Sequence, residues 1–464
     1  MPDAIATPTI GAEGHGGPVQ IFYLKKGAAR RPQIARAEGI YMWDTEGRRY
    51  IDASSGPVAS NLGHGNKRVL AAMIAQAEKA PFAYLSAFES EANVKLAELV
   101  TRLAGAGFER AYFVSGGSEA TESALKLARQ YAVAKGEASR WKVIGREPSY
   151  HGGTLGALAV TGDPVSEALF GPMMKTMPKV PAPFTYRLPP NHDADSYAHA
   201  CVAALEDCIR REGPETILAF IMEPVGGLAT GALVAPDFYY GAVREICDRY
   251  GVLLIYDEVM SGAGRTGRFL AAEHWPRARP DMVTLAKGIA AGYTPMGAVL
   301  APDRMVDRVA ASGGFLHGHT YLTNPLSCAV GFAVVSEMVE RGLIANAEKM
   351  GALLRARLEA LKAKSAILGD VRGKGLLLAI EIVMNKETKA IPPAEYLAVY
   401  RIAELAAKRG LLLYSRRTAN GKYGEWLMIS PPLIVSEAEV EEIVELLALS
   451  LADYESELRA AKLI

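Results

Sequence analysis

Short, continuously apolar runs alternate through the middle of the chain with stretches in which hydrophobic residues recur every three or four positions. This alternation predicts strands over 111–114, 142–144, 217–223 and 252–259, separated by helices over 119–134, 197–211 and 236–250. The runs Ile217-Leu218-Ala219-Phe220-Ile221-Met222 and Val252-Leu253-Leu254-Ile255-Tyr256 lack polar alternation, as strands covered on both faces require. A largely parallel sheet covered by helices follows, an α/β fold. Helical periodicity also dominates 67–103, and 39–52 reads as a hairpin around the Glu46-Gly47 turn. From about Asn324 the pattern changes to a long helix, a strand over 375–381, a helix from Ala394, an apolar run over 411–414 and a final helix. The expected division is a large domain over 67–323 and a smaller α/β domain over 324–464, to which the N-terminal segment 1–66 contributes.

Composition narrows the class of protein. Half of the 464 residues are hydrophobic, enough for a chain of this length to bury about three quarters of its unfolded surface. Lys+Arg and Asp+Glu balance at 51 each, so no net charge draws the chain to nucleic acid or to an anionic membrane. Residues 1–18 lack a basic start followed by an apolar core, and no segment approaches the roughly 18 apolar residues of a bilayer span. A cytoplasmic enzyme acting on small molecules is the expectation. The cysteines at 201, 208, 247 and 328 have no ligand-like or disulfide-framework spacing, so they read as packing residues and no metal is implied.

Chemistry concentrates where strands end. Glu223 and Asp257 each close an apolar run, and ligands in open α/β sheets bind beyond the carboxyl ends of the strands. Thirty residues after Asp257, Lys287 lies in the Gly-rich segment Leu285-Ala286-Lys287-Gly288. An acid there can hold a cationic ring nitrogen and a lysine can form an imine with an aldehyde, which together point to a pyridoxal phosphate (PLP) site. Ser115-Gly116-Gly117-Ser118-Glu119 follows a strand and opens a helix, so its free N–H groups suit a phosphate; alternatively, Ser118 is an ordinary N-cap. In Tyr150-His151-Gly152-Gly153 the tyrosine can stack on a planar ring or be a half-buried loop residue, and His151 can serve the site or satisfy a neighbouring carbonyl. Gly262-Ala263-Gly264-Arg265-Thr266-Gly267 matches a dinucleotide fingerprint, but the prolines at 276 and 280 deny it the helix that fingerprint needs.

Taken in order, these motifs resemble the class III PLP aminotransferases of fold type I, the group of ω-amino acid, 4-aminobutyrate, ornithine and amine:pyruvate transaminases. Trp43-Asp44 with Gly47 and Tyr50, Gly63-His64-Gly65, Glu223-Pro224-Val225 and Asp257-Glu258-Val259 extend the resemblance over nearly the whole chain. It implies that Lys287 carries the cofactor as an imine and then moves a proton, while Asp257 holds the ring nitrogen protonated. Such a pairing is worth about 4 kcal/mol at 4 Å and an effective dielectric of 20. The resemblance also implies that Gly117 and Ser118 hold the phosphate, that Tyr150 and Val259 flank the ring, and that His151 and Glu223 lie at the cofactor. Thr320 in His317-Gly318-His319-Thr320-Tyr321 resembles a threonine that reaches the phosphate of the neighbouring subunit, which implies a homodimer with active sites at the interface. Here Thr323-Asn324-Pro325 replaces the family's usual Gly-His-Pro.

For substrate, Arg416 and Arg417 are candidate clamps for a keto-acid carboxylate, since a guanidinium binds it through two parallel hydrogen bonds; each can instead belong to a solvated basic turn. Relatives move such an arginine aside in one half-reaction, with the glutamate at the position of Glu223 as a partner. Val58, Phe82 and Tyr84 are pocket candidates, and with Pro431-Pro432-Leu433 they resemble the amine or ω-amino acid:pyruvate branch. The implied reaction is ping-pong transfer from an amine donor to a keto acid such as pyruvate or glyoxylate. The alternatives are a 2-oxoglutarate-dependent transaminase and an aminomutase of the same fold. A non-catalytic scaffold is disfavoured by the intact Lys287 and Asp257.

Overall fold

In the computed structural model, which describes residues 31–464, the buried apolar runs assemble into a seven-stranded sheet. Residues 1–18, expected to carry no leader, lie outside the described residues, as does the rest of 1–30. The strand order across the sheet is Arg110–Val114, Gly297–Ala301, Met282–Ala286, Leu253–Asp257, Ile217–Met222, Lys142–Glu147 and Lys179–Pro181. Gly297–Ala301 runs antiparallel to both its neighbours, and the remaining pairs are parallel.

Every residue of Ile217–Met222 and of Met282–Ala286 is buried. The helix Gly117–Ala134 covers one face through Ala120, Ala124, Leu127 and Ala128, which pack with Leu218, Ile221 and Ile255. On the other face Phe220, Met222 and Tyr256 meet Tyr239, Val243 and Ile246 of the helix Asp237–Tyr250. Helices on both sides explain why these strands read as unbroken apolar runs. All four cysteines are buried and free. No described helix is long and apolar enough to cross a membrane.

Two smaller sheets stand beside the large one, and one of them pairs a strand from the C-terminal part of the chain with strands over 34–52. Ile34–Glu38, Tyr41–Asp44 and Arg49–Asp52 form an antiparallel set, and Leu411–Leu412 adds to Arg49–Asp52 in parallel. Asp44 closes the hairpin turn by accepting from the Glu46 and Arg48 N–H groups at 3.0 and 2.9 Å. The third sheet, fully antiparallel, has the order Leu368–Lys374, Leu377–Ile382, Glu425–Ile429, Tyr414–Arg417.

Two expectations need correcting, and one strand is added. The helical run over 67–103 is two helices, Lys67–Lys79 and Glu91–Ala104, because Ala80 precedes Pro81 and takes an extended backbone. The apolar run over 411–414 is divided between two sheets. The strand near 375–381 is one arm of a hairpin whose other arm, Leu368–Lys374, is too polar to announce itself.

The Gly-rich segment 262–267 leads into a short 3-10 turn, Ala271–His274, and its arginine is structural. Fully buried Arg265 donates to the carbonyls of Leu376, Ser430 and Pro431 and to the side-chain oxygens of Ser55 and Asn61. One guanidinium thus ties the N-terminal segment, the large sheet region and the C-terminal segment together.

Candidate active site

Three neighbouring parallel strands deliver three ionisable groups to one edge of the large sheet. Lys287 follows Met282–Ala286, Asp257 ends Leu253–Asp257, and Glu223 follows Ile217–Met222. The next strand, Lys142–Glu147, leads into Tyr150 and His151, while Arg110–Val114 leads into Ser115-Gly116-Gly117-Ser118. These segments enclose a cavity of about 680 Å³. Gly117, Ser118, Tyr150, His151, Glu223, Asp257, Val259, Lys287 and Arg416 all line it.

Asp257 is buried and oriented. One oxygen lies 2.8 Å from His151 Nδ1 and the other accepts from the Val259 N–H at 3.0 Å. His151 therefore pairs with a carboxylate rather than with a carbonyl, while its own backbone is fixed through Thr121 and Thr161. Burial pushes the Lys287 amine down to about 8, against the opposing pull of the Asp257 and Glu223 charges. Lys287 also has φ of +48°, a backbone state that costs an ordinary side chain of order 1–3 kcal/mol and that clusters at functional sites. Burial raises the pKa of Glu223, with His151 opposing; one oxygen accepts from the Gly227 N–H at 2.8 Å.

The helix Gly117–Ala134 points its N-terminus at the cavity. Gly116 occupies the capping position, so Ser118 is not the N-cap; its Oγ accepts from the Gly153 N–H at 3.0 Å. A Cβ on Gly117 would sit 3.0 Å from a Val259 methyl, and one on Gly152, where φ is +141°, would sit 2.7 Å from Ser118 Oγ. Glycine at both positions keeps the cradle open to an anion.

The other candidates lie elsewhere in the chain. Phe82, Tyr84 and Thr320 gather around a separate surface cavity of about 500 Å³. Val58 is buried just behind Ala59, which does line the main cavity. Arg417 projects away from the cavity and is paired with buried Glu425, as alternation along a strand demands of successive residues. Asn324 caps the helix Pro325–Glu340 by accepting from the Ser327 N–H. The cavity also includes Leu228, Ala229, Met260, Tyr293 and Tyr414, which have no chemical signature in the sequence. Only their position just after strand ends, or on a strand facing the cavity, could have marked them.

His151 Nε2 and Glu223 Oε2 are buried without a hydrogen-bond partner, and buried polar atoms of this kind call for a ligand or water. A glycine-lined helix N-terminus, a buried acid and a lysine amine on the cavity wall around such atoms fit a phosphorylated cationic heterocycle that bears an aldehyde.

Comparison with known proteins agrees. The family model "Aminotransferase class-III" matches residues 25–451. Aminotransferase YodT of Bacillus subtilis is 37% identical over 92% of this chain and 96% of its own. The taurine–pyruvate aminotransferase of Rhodobacter capsulatus is 35% identical over 89% of each. The crystal structure of the ω-transaminase of Pseudomonas jessenii in complex with PMP superposes with a TM-score of 0.86 at 32% identity, covering 92% of this chain and 93% of that one. The chain therefore belongs to the class III aminotransferases, fold type I enzymes that depend on pyridoxal phosphate.

Proposed function

We propose that the protein transfers the amino group of a primary amine or ω-amino acid to a monocarboxylic keto acid such as pyruvate or glyoxylate. One observation carries this reading: among the described residues Arg416 is the one arginine lining a cavity whose other walls include Val225, Leu228, Ala229, Met260 and Tyr414. A single guanidinium matches a single carboxylate, whereas 2-oxoglutarate brings two. The apolar remainder suits a donor without a carboxylate near its amine. The pyruvate-dependent relative in Rhodobacter capsulatus lends support.

Bound PLP would supply an electrophilic aldehyde and an electron-withdrawing cationic ring. Gly117, Ser118 and the helix N-terminus would hold its phosphate, Tyr150 and Val259 its two faces, and Asp257 its ring nitrogen. The 2.8 Å contact from His151 fixes the Asp257 carboxylate in place. Lys287 would hold the aldehyde and, once free of it, stand beside the substrate. Its Nζ, made more readily neutral by burial, would be the base that takes the proton from the substrate carbon and holds it for return. Arg416 would clamp the keto-acid carboxylate in the second half of a ping-pong cycle.

We also propose a homodimer in which Thr320 serves the neighbouring subunit's phosphate site. Thr320 lies in a surface region where Phe82, Tyr84, Phe88 and Tyr321 are exposed, an apolar patch of the kind that marks an interface.

A panel of amine donors assayed with pyruvate, glyoxylate, 2-oxoglutarate or no acceptor tests the substrate reading. Turnover with pyruvate or glyoxylate is expected. Turnover with 2-oxoglutarate alone, or isomerisation without any acceptor, overturns it.

A further inference from the structure

Arg416 and Arg417 sit side by side on one strand and are held very differently. Arg417 is pinned by the buried Glu425 carboxylate. Arg416 lines the cavity, its Nε is buried without a partner, and its ionic contact is Asp163, with Nη2 3.5 Å from Oδ2. That distance exceeds a good hydrogen bond. Glu223, the partner expected from relatives, makes no ion pair with it and instead accepts from the Gly227 N–H.

Asp163 is the fixed half of this pair. It caps the helix Pro164–Phe170, with Oδ1 accepting from the Val165 N–H at 3.2 Å and Oδ2 from the Ser166 hydroxyl at 2.8 Å. The Arg416 side chain is 41% exposed and that of Asp163 is 12% exposed. An anchored carboxylate therefore faces a guanidinium that still has donors to offer. Such a loose, partly solvated pair is weak, and a substrate carboxylate making two charge-assisted hydrogen bonds outcompetes it. An apolar substrate cannot.

We propose that Asp163 is a positioning residue that tethers Arg416 at the cavity rim when a carboxylate-free substrate is bound and yields it to a substrate carboxylate. Asp163 thereby sets the preference between the two substrate classes. The proposal rests on Arg416 being the carboxylate clamp.

The test uses the PLP-loaded enzyme and propionate, a carboxylate without a reactive carbonyl, with its dissociation constant read by calorimetry. The KM values for pyruvate and for 1-phenylethylamine are measured in parallel. Asp163→Asn and Asp163→Ser keep a side chain competent to cap the helix and remove the charge. Both are expected to tighten propionate on the order of two- to five-fold, to lower the KM for pyruvate, and to raise that for 1-phenylethylamine. Arg416→Met should weaken propionate by about ten-fold or more and make Asp163→Asn silent in the double variant. If propionate binding is unchanged in both Asp163 variants, or if both substrates weaken together, the tether is overturned while the clamp survives. Propionate binding that is indifferent to Arg416→Met removes the clamp and the tether with it.

Discussion

Lys287 combines a left-handed backbone, burial and two nearby carboxylates, and its proton equilibrium follows from the balance among them. Burial dominates and lowers its pKa from 10.5 to about 8. The neutral amine, the form that attacks an aldehyde, therefore becomes abundant as pH rises through about 8. The rate at which the apo-protein takes up PLP, followed by the imine absorption band, should rise across that range and level off above it; a rise delayed to near 10.5 contradicts the burial argument. The same shift acts on stability. Between about 8 and 10.5 the unfolded chain holds a proton that the folded one has released, so the apo-protein gains stability with rising pH in that window from this group. Asp257 makes the complementary contribution. Asp257→Ala removes the carboxylate proposed to stabilise the cationic ring and leaves His151 unpaired, and kcat should fall by on the order of 10²–10³. A loss of less than about ten-fold in steady-state assays argues against that role.

At the scale of elements, the proposed phosphate cradle depends on the close approach of the loop carrying Gly152 to the helix Gly117–Ala134. Gly152→Ala forces a side chain into φ of +141° and into contact with Ser118, a strain of order 1–3 kcal/mol. Its apparent PLP dissociation constant should rise about ten-fold or more in equilibrium titrations, and unchanged affinity contradicts the cradle. Strands buried on both faces were legible because they are uniformly apolar, and the helices between them because one face is. Leu368–Lys374 was not legible, since Gly369, Asp370, Arg372 and Gly373 interrupt its apolar residues and its pairing with Leu377–Ile382 is a long-range fact. The break near Ala80 was hidden because the apolar spacing continues on both sides of Pro81.

At the scale of the whole molecule, segments far apart in sequence converge on Arg265. Arg265→Ala orphans the Leu376 and Pro431 carbonyls and Asn61 Oδ1, each costing about 1–3 kcal/mol, so unfolding by urea should report a loss of about 3 kcal/mol or more. A much smaller loss contradicts its role as the tie. That Lys287, Asp257 and Ser115-Gly116-Gly117-Ser118 meet at one cavity was readable because each follows a strand end, a position that the fold makes meaningful. Asp163 was not readable, because in sequence it announces only the start of a short helix, and its contact with Arg416 spans more than 250 residues. Assembly is tested by light scattering: a dimer has twice the 49.7 kDa mass of the chain, and a monomer that keeps full activity contradicts the proposed sharing of Thr320. The central claim, that this chain holds its cofactor through Lys287, is tested most directly by reducing the PLP-loaded protein with borohydride and mapping the modified peptide. A single pyridoxyl group on Lys287 is the expected result; a label on another lysine, or none, contradicts it.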